Sequence, residues 1–338
     1  MENVGGELNA YTTKEETFIY AAFLEEYFPR AVELLSDIAF HSEFSPQQID
    51  RERDVILDEI HSYYDSPSEL IFDDFENLLF EGHDIGHYIL GEPESLESFN
   101  KDRIQRFVRR QYHPSEMVFF SFGKTSFAKV VRQMEKFFSV VQEKPHSKKR
   151  VAPDIFSPRN ETVLKNTAQS HVMIGGNTFS MHHPQKYALY MLNSIMGGGS
   201  MNSRLNASLR EKHGLAYNVE MNVTFYTDTG FFAVYFACDP KNRNTCIKLI
   251  KKEVEKIKMR ELTPMQLSLA KRQWKGQLGI ASENNENSAL SMAKTYLHFN
   301  SYASLDEIFA KIDAITASQI REVANDVFSS TPFELSYL

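Results

Sequence analysis

Glu52 and Glu59 stand seven residues apart in Arg51-Glu52-Arg53-Asp54-Val55-Ile56-Leu57-Asp58-Glu59, where apolar residues recur helically at Ile49, Ile56, Ile60 and Tyr63. Seven residues fall ~20° short of two full turns, so both carboxylates are expected on the face of Ile49 and Ile56. An ionised carboxylate turned toward a core is costly unless a cation or hydrogen-bond donors compensate. The pair therefore calls for an Arg, a Lys or a metal, or else it lies partly exposed at the edge of the stripe in a salt bridge. His83 and His87 have metal-pair spacing but lack the Glu of H-E-x-x-H or H-x-x-E-H, which reads as a loop without metal. Gly197-Gly198-Gly199 is not followed by Lys-Ser/Thr in phosphate-loop register and reads as a helix terminator. Arg210 and Tyr217 flank Gly214, expected to be a left-handed helix cap with Tyr217 on the next strand. Arg210 is then either an ordinary cation at a helix C-terminus or part of a site.

The elements that must hold these residues fall into two halves. In the first, a glycine turn at Gly5-Gly6 leads to Leu8-Asn9-Ala10-Tyr11, and Thr17 to Phe23 reads as a second strand. Leu8 and Ala10 alternate with Asn9 and Tyr11, as in a one-sided edge strand. Helical spacing follows over residues 29–40, 47–64, 69–80 and 103–112, and Met117 to Phe122 reads as a buried strand. Residues 142–158 are polar, basic and interrupted by prolines, which is linker chemistry. The expected division is thus a domain over 1–141, a linker over 142–158 and a domain over 159–338. The second half predicts strands near 162–164 and 171–175, a helix over 184–196, a hairpin of 215–226 with 231–238, and four more helical stretches. Helix, proline turn and strand over 104–119 match the same order over 320–335. The fold class expected is α+β, with two homologous domains, each a mostly antiparallel sheet covered by helices.

The 338 residues carry 37 Lys plus Arg against 45 Asp plus Glu, a net charge of -8 that argues against a nucleic-acid partner. Two cysteines without C-x-x-C spacing suggest a reducing compartment. The longest apolar runs are far too short for a membrane span, and no signal peptide is visible, so a soluble, cytoplasmic protein is expected.

On its motifs the chain resembles the pitrilysin/insulinase family of zinc peptidases, which includes mitochondrial processing peptidase. Residues 2–12 (Glu-Asn-Val-Gly-Gly-Glu-Leu-Asn-Ala-Tyr-Thr) with Glu16-Thr17 resemble the segment after the family's zinc helix. Residues 51–59 resemble its distal-glutamate helix, and Gly82-His83 through Gly91 the loop that follows. Gly197 to Leu205 and Leu209 to Tyr217 resemble the second-domain signature. The resemblance implies that Glu59 is the third zinc ligand and Glu52 the carboxylate supporting it. It also implies that Asn9, Ala10 and Tyr11 form the edge strand binding peptide backbone, and that Arg210 and Tyr217 reach the substrate near the scissile carbonyl.

The family's H-x-x-E-H string, which provides two His ligands and the general base, does not occur in the 338 residues. The expectation is that the string lies ahead of Met1, that zinc belongs to the complete protein and not to this chain alone, and that the function is that of a zinc endopeptidase or its fragment. The alternative is a noncatalytic peptide-binding or structural subunit of the same family that pairs with an active partner. A peptide or unfolded protein is the expected substrate, and the resemblance implies a homodimer or family heterodimer.

Overall fold

Strands and helices follow one another along the chain in an order set by where apolar periodicity switches between two and 3.6. The computed structural model describes residues 1–139, 150–154, 158–329 and 332–338. The elements are β1 (Glu7–Thr12), β2 (Thr17–Ala22), α1 (Phe28–Phe40), α2 (Pro46–Tyr64), α3 (Pro67–Leu79), α4 (Pro93–Leu96), α5 (Lys101–Gln111) and α6 (Phe127–Phe138). They continue as β3 (Asn160–Val163), β4 (Ser170–Asn177), α7 (Lys186–Met196), β5 (Ala216–Phe225), β6 (Gly230–Cys238) and α8 (Arg243–Met259). The last are α9 (Pro264–Ser282), α10 (Asn285–Phe299), α11 (Leu305–Ala314), α12 (Ala317–Val327) and β7 (Phe333–Tyr337). No helix among the described residues is long and apolar enough to cross a membrane. Of the expected linker at 142–158, residues 142–149 and 155–157 lie outside the described residues.

Two compact units are present, each assembled from separated stretches: Met1–Ile60, Ile89–Arg150 and Ile280–Tyr302 in one, and His61–Tyr88, Val151–Gly279 and Ala303–Leu338 in the other. The first unit thus takes α10 from late in the chain, and the second takes α3 from early in it.

In the second unit a five-stranded sheet runs β3-β7-β4-β6-β5, parallel only between β3 and β7 and antiparallel elsewhere. Its β5–β6 hairpin is the one expected from the sequence. β6 is buried along its whole length, which explains why Gly230–Cys238 is continuously apolar instead of alternating: both faces of the sheet are covered. On one face Val172, Ile174, Val234 and Phe236 share a core with Leu189 of α7, Ile250 of α8 and Val323 of α12. On the other, Met173, Tyr235, Phe333 and Leu335 share a core with Leu70, Ile71, Phe75 and Leu79 of α3. Gly175 is required where β4 meets β6, because a Cβ there would lie 2.0 Å from the Phe232 carbonyl oxygen.

In the first unit β1 pairs with β2 in a two-stranded antiparallel sheet, from Glu7↔Ala22 to Thr12↔Thr17. Ser36 of α1 donates to the Phe137 carbonyl of α6 at 2.9 Å, and the Phe40 and Phe138 rings meet edge to face at 5.7 Å. One expectation is corrected here: Met117 to Phe122 is not a buried strand but irregular backbone, with Met117, Phe120 and Phe122 exposed. A strand needs a neighbour for its amides and carbonyls, and among the described residues none is paired with this stretch. The repeat seen in sequence therefore holds for α5 against α12, but only β7 completes it as a strand, and residues 330–331 of the second proline turn lie outside the described residues.

Candidate functional site

The Gly5-Gly6 turn feeds β1, with Gly5 in the left-handed region at φ 72°. Every residue of β1 is exposed, and among the described residues β2 is its only ladder partner, so its other edge is open. Asn9, Ala10 and Tyr11 sit opposite Tyr20, Ile19 and Phe18. The Ala10 amide donates to the Oδ1 of Asn9 at 2.8 Å, so it does not serve the β1–β2 ladder and marks the open side. Tyr11 stacks on Phe18 at 4.7 Å, which stiffens the hairpin beside that edge.

α2 departs from expectation. Glu52 and Glu59 are both exposed, not turned into the apolar stripe. The positions that turn inward are Ile49, Arg53, Ile56, Leu57 and Ile60, of which Ile60 is buried. Each glutamate follows an inward isoleucine by three residues, ~60° short of a turn, which is enough to carry it out of the stripe. Arg53 takes the inner place, donating to the carbonyls of Leu96 at 3.3 Å and Phe99 at 3.1 Å. The carboxylates therefore need no buried counter-charge, and they remain side by side on one solvent-facing side of the helix.

In the second unit, Gly214 adopts φ 60° and ends the π-helical turn over Asn206–Lys212. Arg210 precedes it and Tyr217 follows on β5, the latter 82% exposed. Arg210 Nε approaches the adjacent Glu211 at 3.6 Å, a loose surface pair that contributes little to stability. His83 is held as scaffold: its Nδ1 accepts from the Ile85 amide at 3.2 Å, so Nε2 carries the proton donated to the Val151 carbonyl at 2.9 Å. Neither nitrogen keeps a lone pair for a metal.

Three carboxylates, Glu16 and Glu76 buried and Asp74 half-buried, escaped the sequence reading. In the second unit, Asp74 of α3 accepts from Tyr88 at 2.7 Å and from Tyr337, and Glu76 accepts from the buried Tyr226. Burial and the Asp74 carboxylate both push the Tyr88 and Tyr337 hydroxyls well above their ordinary value, so they stay protonated donors. In the first unit, Glu16 follows β1 in a turn closed by Thr13, whose amide donates to the Glu16 carbonyl at 2.8 Å. Its side chain, 2% exposed, accepts from Thr13 Oγ1, from Lys294 Nζ at 3.0 Å and from His298 Nε2. No spacing rule links residues 278 and 282 positions apart, and only the placement of α10 reveals the cluster.

Glu15, Glu16 and His298 bring donor atoms within 4.8 Å of one another, the one such group among the described residues. Lys294 on Glu16 and Arg150 on Glu15 at 2.6 Å already supply the positive charge, so the cluster is an ion-pair network. Burial alone would raise the Glu16 carboxyl, but hydrogen bonds from His298, Thr13 and Lys294 and the lysine charge hold it at about 2. A lowered folded-state value contributes stability above the unfolded value of 4.5, and that stability is lost as pH falls from there toward about 2. The urea midpoint of the first unit is expected to drop between pH ~5 and ~3, with a smaller drop in Glu16→Gln. Equal drops in the two proteins would show that the network is not what titrates.

A family described as Insulinase (Peptidase family M16) matches residues 1–92, and one described as Peptidase M16 inactive domain matches residues 98–274. An uncharacterized zinc protease of Bacillus subtilis, YmxG, is 30% identical over 97% of this chain and 80% of its own length. One from Streptomyces coelicolor is 31% identical over 98% of this chain and 74% of its own. Among solved structures, a protease from Helicobacter pylori superposes with a TM-score of 0.90 at 20% identity, over 100% of this chain and 83% of that one. A peptidase M16 inactive domain from Pseudomonas fluorescens superposes with 0.87 at 16%, over 99% and 81%. These two structural likenesses speak to the α+β fold alone.

Proposed function

The chain belongs to the M16, or insulinase, family of peptidases, and on that premise we propose that it binds an extended peptide as an added strand on β1 within a zinc-dependent endopeptidase. The open edge of β1, with the Ala10 amide outside the ladder, is the observation that carries this reading. Asn9, Ala10 and Tyr11 are the backbone-binding residues. Glu59 is the metal ligand the chain supplies and Glu52 its supporting carboxylate. Arg210 and Tyr217 act as donors toward the scissile carbonyl, where negative charge develops in the transition state. The zinc protease names of the Bacillus and Streptomyces relatives support the metal.

The residues present do not make a zinc centre by themselves. A hydrolytic zinc site takes three protein ligands. No H-x-x-E-H occurs in the 338 residues, and among the described ones Glu59 belongs to no group of donors close enough to share an ion. The chain accounts for peptide binding and one ligand, not for activation of water. A second reading is favoured by the same missing string: a noncatalytic peptide-binding subunit that pairs, as homodimer or family heterodimer, with an active partner.

Metal analysis separates the two. A fusion carrying a relative's H-x-x-E-H helix ahead of Met1 is expected to hold one zinc per chain and to lose it in Glu59→Gln, while the 338-residue chain holds none. A fusion without zinc favours the noncatalytic subunit, and stoichiometric zinc in the unextended chain would mean that the ligands are others.

A further inference from the structure

The residues that present β1 to a ligand are not themselves on β1. Thr13 to Glu16 connect β1 to β2, and the Glu16 amide donates to Thr13 Oγ1 at 3.1 Å, so turn and carboxylate form one rigid piece. That carboxylate is gripped by Lys294 and His298, four residues apart and so on one face of α10. α10 is a firm support. Asn284 caps its first turn by accepting from the Asn287 amide at 2.9 Å, and Asn300 ends it in the left-handed conformation at φ 50°. The same helix reaches the hairpin a second time, because the Glu286 carboxylate of its first turn lies beside the Tyr20 hydroxyl, and Tyr20 sits opposite Asn9 in the ladder. α10 thus touches the hairpin near its turn and near the middle of β1's partner strand. A two-stranded hairpin is marginal alone, so what holds it decides where its open edge lies.

We infer that Glu16, clamped by Lys294 and His298, is the positioning residue of the β1 edge: it fixes the hairpin on α10 so that the Ala10 amide is presented to an extended peptide. This rests on the reading of β1 as the peptide-binding strand. Glu16 touches no ligand and acts through the hairpin. An edge free to rock against α10 must be ordered again each time a strand is added, which costs affinity.

The test uses the full 338-residue chain and fluorescently labelled casein, an unfolded polypeptide, followed by anisotropy. Glu16→Gln and Lys294→Met are each expected to weaken binding about fivefold or more. The double variant should lose no more than the worse single one, because both break one contact. Lys294→Arg, which keeps the charge, should recover at least half of the affinity lost in Lys294→Met. Lys294 is partly exposed, so its variants keep the test open should Glu16→Gln fail to fold.

Ala10→Pro serves as the separate probe of the edge. If Ala10→Pro abolishes binding while Glu16→Gln and Lys294→Met bind casein as the unsubstituted chain does, the positioning role is overturned and the edge reading stands. Additive losses in the double variant, or no recovery in Lys294→Arg, overturn the clamp as well. If the unsubstituted chain does not bind casein, or Ala10→Pro binds it normally, the edge reading falls and the inference falls with it.

Discussion

Replacing Phe75 by alanine is expected to lower the unfolding free energy of the second unit by about 3–5 kcal/mol. Phe75 lies on α3 with no exposed surface, its ring 5.3 Å from that of Phe333 and 6.3 Å from that of Phe231. Truncation removes the transfer energy of the ring and leaves a cavity between helix and sheet that neither can close, because Leu70, Ile71 and Leu79 already fill the flanking space. A loss of that size is a large share of the roughly 5–15 kcal/mol that holds a domain together. Trp274, the single tryptophan, packs beside Tyr190 in the same unit and reports its urea unfolding by fluorescence. Phe127, 82% exposed, supplies the control, with a change within ~0.5 kcal/mol on truncation. A loss below ~1 kcal/mol in Phe75→Ala would mean that α3 is not part of the core of the second unit.

Ala10→Pro is expected to weaken the binding of labelled casein about tenfold or more while leaving the β1–β2 hairpin in place. Proline removes the amide proton and puts a ring on the open edge. Because that amide bonds to the Asn9 side chain and not to β2, the hairpin ladder keeps its hydrogen bonds. One lost hydrogen bond is worth ~0.5–1.5 kcal/mol, up to about tenfold in affinity, and the ring's obstruction of an approaching strand adds to it. Ala10→Ser keeps the amide and should bind within about twofold of the unsubstituted chain. Hydrogen exchange at β2 amides checks the hairpin. Unchanged casein binding in a folded Ala10→Pro chain would remove β1 as the binding strand.

Where local spacing decides the outcome, the sequence sufficed. β1, β2, α1 and the β5–β6 hairpin lie within a few residues of expectation, because strand alternation, turn residues and helix caps act between near neighbours. Gly214 was legible as a left-handed cap for the same reason. Met117 to Phe122 was not legible, since apolar and aromatic content says only that a stretch suits a strand and not that a partner lies beside it. On α2, periodicity located the stripe but placed its border one residue type too wide. Arg53 turns inward because its long stem spans the interior edge and its guanidinium finds two carbonyls.

The sequence by itself determined the family and the α+β class: these rest on local pattern and on motifs carried in order along the chain. Only the tertiary structure decided that α3 fills the second unit and α10 the first, that Glu52 and Glu59 face solvent, and that Glu16 is buried against Lys294 and His298. The physical reason is range. A helix cap or a turn is settled by groups a few residues apart, whereas the burial of a carboxylate depends on which distant segment arrives to cover it and on whether that segment brings a cation.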